Sequence, residues 1–158
     1  MPRSRKYWLF KSEPESYSFD DLLADGRTLW DGVRNYQARN LLRDEIAPGD
    51  GVLYYHSNAK PMAIVGTARV VRGGYPDPSA LDPNSHYYDP SSDPEDPTWY
   101  VVDIEPVEAF AEPLTRDRLK AESALSDMML LRRGSRLSVQ PVAAAEWKHI
   151  LRLAGVRG

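Results

Sequence analysis

Three segments of β character, GVLYYHS (51–57), MAIVGTARVV (62–71) and TWYVVDIEPV (98–107), lie in the middle of the chain and restrict its architecture more than any other feature. Each is rich in β-branched and aromatic residues, which suit a pleated and largely buried surface. In the second segment Ile64, Ala68 and Val70 are assigned to one face, and Val65, Thr67, Arg69 and Val71 to the other. Gly66 interrupts the first of these faces, which predicts a bend or a close approach by another backbone. In the third, Tyr100, Val102 and Ile104 are expected inward while Asp103 and Glu105 alternate outward.

Shorter elements surround these segments. Tyr7 to Phe10 reads as a strand and RLSVQPV (136–142) as another. SFDDLLADG has the marks of a short helix, with Ser18 as cap and Gly26 as terminator. Asn35 is placed to cap a second helix running to about Asp44. On that helix Ala38, Leu41 and Leu42 would face inward, and Tyr36, Arg39, Asn40 and Arg43 outward. TRDRLKAES (115–123), capped by Thr115, and residues 143–155, ended by Gly155, complete the helices. Trp8 and Trp147 are expected in the core. Strands lying between helices at both ends predict an α+β fold, a small barrel or strongly curved mixed sheet with flanking helices. The chain has 158 residues, enough for one hydrophobic core, so a single domain over 1–158 is expected.

The sequence has no cysteine, which excludes disulfides, thiol nucleophiles and thiolate metal sites. No run approaches the roughly 20 apolar residues of a membrane span. The opening MPRSRKYWLF lacks the apolar region of a signal peptide. A cytoplasmic protein without membrane association is therefore expected. The formal net charge of −3 hides an asymmetry: between Arg72 and Arg116 there are ten acids and no Lys or Arg. The rest of the chain holds 20 basic and 13 acidic residues, a surplus compatible with a basic, nucleic-acid-binding face unless the charges mix in three dimensions. Six prolines between Pro76 and Pro97 make that part of the acidic stretch an irregular surface loop.

Catalysis finds little support. His56, His86 and His149 stand in no catalytic or metal-ligand spacing, and no Gly-rich phosphate cradle is present. His56 and Ser57 are adjacent on a strand and would point to opposite faces, which rules out a nucleophile–base pair. A non-enzymatic protein without metal or cofactor is expected. The stretch WDGVRNYQARN (30–40) suggests a different chemistry. An indole can stack on a nucleobase, an asparagine amide can read a base edge, and arginines can hold phosphates. Trp30, Asn35 and Arg39 supply one of each within ten residues. Lys11, Ser12, His56, Ser57 and Asn58, at the ends of neighbouring strands, could complete a pocket.

The strings YWLFKSEPESYSFDDL, WDGVRNYQARNLLR, GDGVLYYHSN, GTARVV, YPDP, WYVVDIEPVEAF, LKAESALSDMMLLRRGSRLSVQPV and EWKHIL, in this order, closely resemble the EVE domain family. The resemblance runs from about Tyr7 to Leu153. It implies a PUA-like fold, a curved mixed β-barrel with flanking helices. It also implies recognition of a modified base, notably modified cytosine in DNA, flipped into a pocket at a cost of a few kcal/mol. Carried over residue by residue, the pocket would comprise Lys11, Ser12 and Glu13 of KSEP with Trp30 as a wall, and Val33, Arg34, Asn35 and Tyr36 would line it or approach the backbone. His56, Ser57 and Asn58 would lie beside these, with Ser138 and Gln140 opposite. Arg34, Arg39 and Arg136 are assigned to phosphates. In bacteria such domains often stand beside restriction or other defence enzymes, which makes such an enzyme a candidate partner. Modified RNA is the alternative ligand; an enzyme acting on a nucleoside and a protein-interaction module are the other readings.

Overall fold

The computed structural model describes residues 4–134 and 137–157. Its frame is one six-stranded mixed sheet. The strands are β1 (Tyr7–Ser12), β2 (Thr28–Leu29), β3 (Gly51–His56), β4 (Ala63–Pro76), β5 (Tyr100–Thr115) and β6 (Val139–Val142). They lie in the order β2-β5-β4-β3-β1-β6. β1 runs parallel to β3, and every other pairing is antiparallel. Helices α1 (Phe19–Asp25), α2 (Tyr36–Asp44), α3 (Arg116–Lys120) and α4 (Ala144–Ala154) pack around it. This is the expected α+β architecture.

Period-two alternation distributes the central strands between two cores. Trp8 and Phe10 of β1, with Val52 and Tyr54 of β3, join Trp30, Leu22 and Leu42 in the first. Leu9, Leu53 and Tyr55 join Leu119, Trp147 and Ile150 in the second. The helices begin where cap chemistry directs. Ser18 accepts from the amide of Asp21 at 3.0 Å, and the Asp21 carboxylate accepts from the amide of Ser18 at 2.9 Å, a reciprocal capping box. Asn35 Oδ1 accepts from the amide of Ala38 at 3.0 Å, and Thr115 Oγ1 from that of Arg118 at 3.1 Å. Gly26 and Gly155 close α1 and α4 with φ of 75° and 71°.

Several sequence expectations require correction. Ile64 belongs to the second core, whereas Ala68 and Val70 belong to the first. The register of β4 against β5 shifts between Ile64 and Gly66, so simple alternation fails across that point. Asp103 does not face outward. It is buried and takes bonds from Arg27 at 2.8 Å and from the Tyr75 hydroxyl. β5 continues to Thr115, well past the expected 107, because its prolines Pro106 and Pro113 sit beside register irregularities rather than ending the strand. Helix α3 correspondingly stops at Lys120 and gives way to a 3₁₀ turn at Ser123–Leu125. The two-residue β2 has no distinct sequence signal and exists by pairing with Ile104 and Asp103.

Gly66 makes the predicted close approach. A Cβ there would lie 2.6 Å from Phe19 Cζ and 2.8 Å from the carbonyl oxygen of Glu108. Gly66→Ala is expected to destabilise the protein by about 1–3 kcal/mol, read from a denaturant midpoint. An unchanged midpoint would show that β4 relaxes freely here.

Candidate functional site

The C-terminal end of β1 and the turn that follows β2 enclose a cavity of about 440 Å³. That volume falls within the range of small-ligand sites. Its walls are Lys11, Ser12, Glu13, Ser16, Tyr17, Thr28, Leu29, the run Trp30 to Arg34, Tyr87 and Ser138. Trp30 is anchored from behind. Its amide donates to the carbonyl of Val102 at 2.8 Å, and its ring packs against Phe10 at 5.2 Å and edge-on against Tyr54 at 5.5 Å. It is therefore core and cavity wall at once. Opposite, the Ser12 hydroxyl and the Tyr54 hydroxyl both donate to the carbonyl of Tyr17 at 2.7 Å, fixing the segment that closes the floor. The Tyr17 hydroxyl donates to Asp25, and its pKa is pushed up to about 12 by burial and by that carboxylate.

The turn Asp31-Gly32 is held by a residue 45 positions away. The buried Asp77 carboxylate accepts from the amide of Gly32 at 3.1 Å and from Arg34 Nη1 at 3.0 Å. Its other oxygen accepts from the amide and hydroxyl of Ser79 at 2.8 and 2.6 Å. Arg34 Nη2 donates to the carbonyl of Tyr87 at 2.6 Å. Gly32 has φ 77°, and a Cβ on it would meet the Tyr87 ring at 2.6 Å. Glycine is thus required twice over, for its backbone and for the ring lying on it. The acidic, proline-rich loop is irregular as expected, but through Asp77 and Tyr87 it forms one wall of the cavity.

The polar ends differ in availability. Asp31 makes no ion pair among the described residues. Although Asp31 is exposed at the rim, partial desolvation by the cavity wall, and secondarily the nearby Asp77 charge, raise its pKa above the usual carboxylate value. Lys11 follows Leu9 in the alternation of β1, so its side chain leaves on the second-core side. There burial, and then the charge of Arg116, lower its pKa.

The expected site residues therefore separate into groups. Ser12, Glu13, Trp30, Val33 and Ser138 meet at the cavity, and Lys11 touches its wall while its side chain leaves on the second-core side. Arg34 is also at its wall, engaged by Asp77 and Tyr87 rather than free for a phosphate. Asn35 does not line the cavity, because its side chain caps α2. Tyr36 lies outside it, 63% exposed and stacked on Trp99 at 5.1 Å. His56 Nε2 accepts from the amide of Phe19 at 3.1 Å, which makes it a helix anchor, and burial lowers its pKa. Ser57 continues the backbone pairing with Ser12, and Asn58 donates to Glu13 at 3.4 Å. Gln140 is buried, with Nε2 bonded to the carbonyl of Leu137 at 2.8 Å. Arg39 lies on the exposed side of α2, bonded to the carbonyl of Thr98 and to Asn40. Arg136 lies outside the described residues. Ser16, Tyr17, Thr28, Leu29, Asp31, Gly32 and Tyr87 are further cavity walls not among the expected residues. The Asp-Gly pair was a turn signal that could have marked Gly32.

The EVE domain profile matches residues 6–153. The chain belongs to the EVE domain family. Thymocyte nuclear protein 1 from Rattus norvegicus is 42% identical over 93% of this chain and 73% of its own length. A protein from Pseudomonas syringae has a solved structure with TM-score 0.89 and 47% identity, covering 94% of this chain and 99% of that one. Human THYN1, solved in complex with DNA containing 5-methylcytosine, superimposes with TM-score 0.88 at 37% identity over 97% of this chain and 99% of that one.

The raised pKa of Asp31 has a consequence for the stability of this EVE domain. The folded state holds a proton more tightly than the unfolded chain, so stability is lost as pH rises through the window above the ordinary carboxylate value. Asp31→Asn is expected to raise the melting temperature at pH 7. The gain should vanish below about pH 4, where both states are protonated. A lowered melting temperature at pH 7 would show that the charge is stabilised instead.

Proposed function

We propose that this EVE domain binds DNA and reads a modified cytosine by taking the base out of the duplex into the cavity beside Trp30. The observation that carries the reading is the carboxylate of Asp31 next to an apolar wall of Leu29, Trp30 and Val33 in the same cavity, whose other carboxylate, Glu13, accepts from Asn58. A carboxylate accepts from the exocyclic amino group of cytosine and repels the O4 acceptor of thymine at the same position. A methyl group at C5 makes apolar contact with side chains of the Leu and Val type. Stacking contributes about 1–3 kcal/mol per base and each edge hydrogen bond about 0.5–1.5 kcal/mol, together comparable with the few kcal/mol that flipping costs. The complex of the human relative with 5-methylcytosine DNA supports the same ligand class.

The role is binding rather than catalysis: after long incubation the oligonucleotide is expected back unaltered. Arg39 serves as a backbone contact, because its hydrogen bonds go to a carbonyl and an amide and it makes no ion pair among the described residues. The test is fluorescence anisotropy on matched duplexes carrying 5-methylcytosine, cytosine or thymine at one position, at two salt concentrations, with an RNA of the same sequence alongside. The methylated duplex should bind tightest. Asp31→Ala should remove the preference for cytosine over thymine. Arg39→Ala should weaken all duplexes alike and reduce the salt slope by about 1. Equal binding of all three duplexes by the unmodified protein, or tighter binding of the RNA, would refute the reading.

A further inference from the structure

Tyr36, placed in the pocket by the family resemblance but on the outer face of α2 by helical phase, is the most exposed large apolar side chain among the described residues, at 63%. It is nevertheless fixed in place. One ring contact is the Trp99 indole, stacked at 5.1 Å with 25° between planes. Another is the Arg39 guanidinium, 5.2 Å from the ring centroid. Its backbone is fixed too, since it occupies the first turn of a helix whose cap is the Asn35 side chain. Trp99 is immobile in turn, 7% exposed, with its indole N–H donating to Asp89 Oδ2 at 2.6 Å. A solvent-facing tyrosine held this way retains a single presentation, which lowers the ordering cost of meeting a partner.

Its position relative to the cavity is equally defined. Arg34 is a cavity wall, and its guanidinium lies 5.2 Å from the Trp99 ring on which Tyr36 stacks. Tyr36 follows Arg34 by two residues, a backbone span of at most about 7 Å. That is the distance scale of one or two base steps. A base drawn into the cavity leaves a gap in its duplex at this range, and apolar side chains are the groups that occupy unstacked steps in bent or opened DNA. Arg39 beside the ring makes no ion pair among the described residues, its nearest carboxylate influence being Asp44 on the same helix, and it is matched to the phosphates flanking such a gap.

We propose that Tyr36, braced by Trp99, is the wedge that fills the position vacated by the flipped base, and that Arg39 holds the adjoining phosphate. This rests on the cavity being the base pocket. The occupant of the Tyr36 face is then duplex DNA carrying the modified base, in register with the cavity.

The test compares Tyr36→Ala and Tyr36→Phe with the unmodified protein on a duplex containing a single 5-methylcytosine, on its unmethylated counterpart, and on the methylated strand alone. Tyr36→Phe should keep the parent melting temperature, and Tyr36→Ala, which gives up only the stack on Trp99, should lower it by no more than a few degrees and leave the protein folded. Tyr36→Ala should lose about tenfold in affinity for the methylated duplex, whereas Tyr36→Phe and the single strand should stay within about twofold. Equal losses on duplex and single strand, or an undiminished duplex affinity with the methyl preference intact, would overturn the wedge and leave the base pocket standing. Failure of the unmodified protein to distinguish methylated from plain duplex would overturn both.

Discussion

The carboxylate of Asp77 joins the two halves of the site. It is buried, and it takes four hydrogen bonds, from Gly32, from Arg34 and two from Ser79. Burying such a charge costs several kcal/mol, and only a full set of donors with a cation among them offsets that cost. The same residue closes the neck of the proline-rich loop, its amide donating to the carbonyl of Trp99 at 2.8 Å. One residue therefore sets the Gly32 turn, orients the Arg34 that holds Tyr87, and ties the chain at Trp99. The cavity and the exposed aromatic beside it are two consequences of one latch.

The same stretch of chain resolves the charge asymmetry. The acids between Arg72 and Arg116 are not a separate negative face. Asp77 pairs with Arg34, Asp103 with Arg27 and Glu105 with Arg69, so three arginines of the basic remainder are neutralised by them. Asp89 is engaged by Trp99 and Ser91. Charges mix in three dimensions, and counting along the sequence overstated the basic surface. What the mixing leaves on α2 is Arg39, since Arg43 pairs with Asp44.

Local signals in the sequence were read reliably where local chemistry decides. The Ser18, Asn35 and Thr115 caps and the Gly26 and Gly155 terminators all follow from side-chain chemistry within a few residues. Alternation failed where β4 bulges, because a register shift reverses the faces and leaves no mark on the residues beyond it. Within the site, the KSEP segment, Trp30, Val33 and Ser138 were placed together by the family resemblance. Asn35 and His56 were misplaced for one reason. Each has a polar group suited to a base edge, but a helix N-terminal amide lies nearer and takes it. Asp31, Tyr87 and Asp77 could not be assigned because their roles depend on contacts across more than forty residues of chain.

The cavity beside Trp30 as the seat of a modified cytosine is tested most directly by chemical-shift mapping of the labelled protein with a short duplex carrying one 5-methylcytosine. The Trp30 indole N–H, the Gly32 amide and the Val33 methyls should show the largest changes, well beyond those given by the unmethylated duplex. Perturbations that leave these three unmoved and gather instead around the groove between Glu112 and Leu153 would contradict the account.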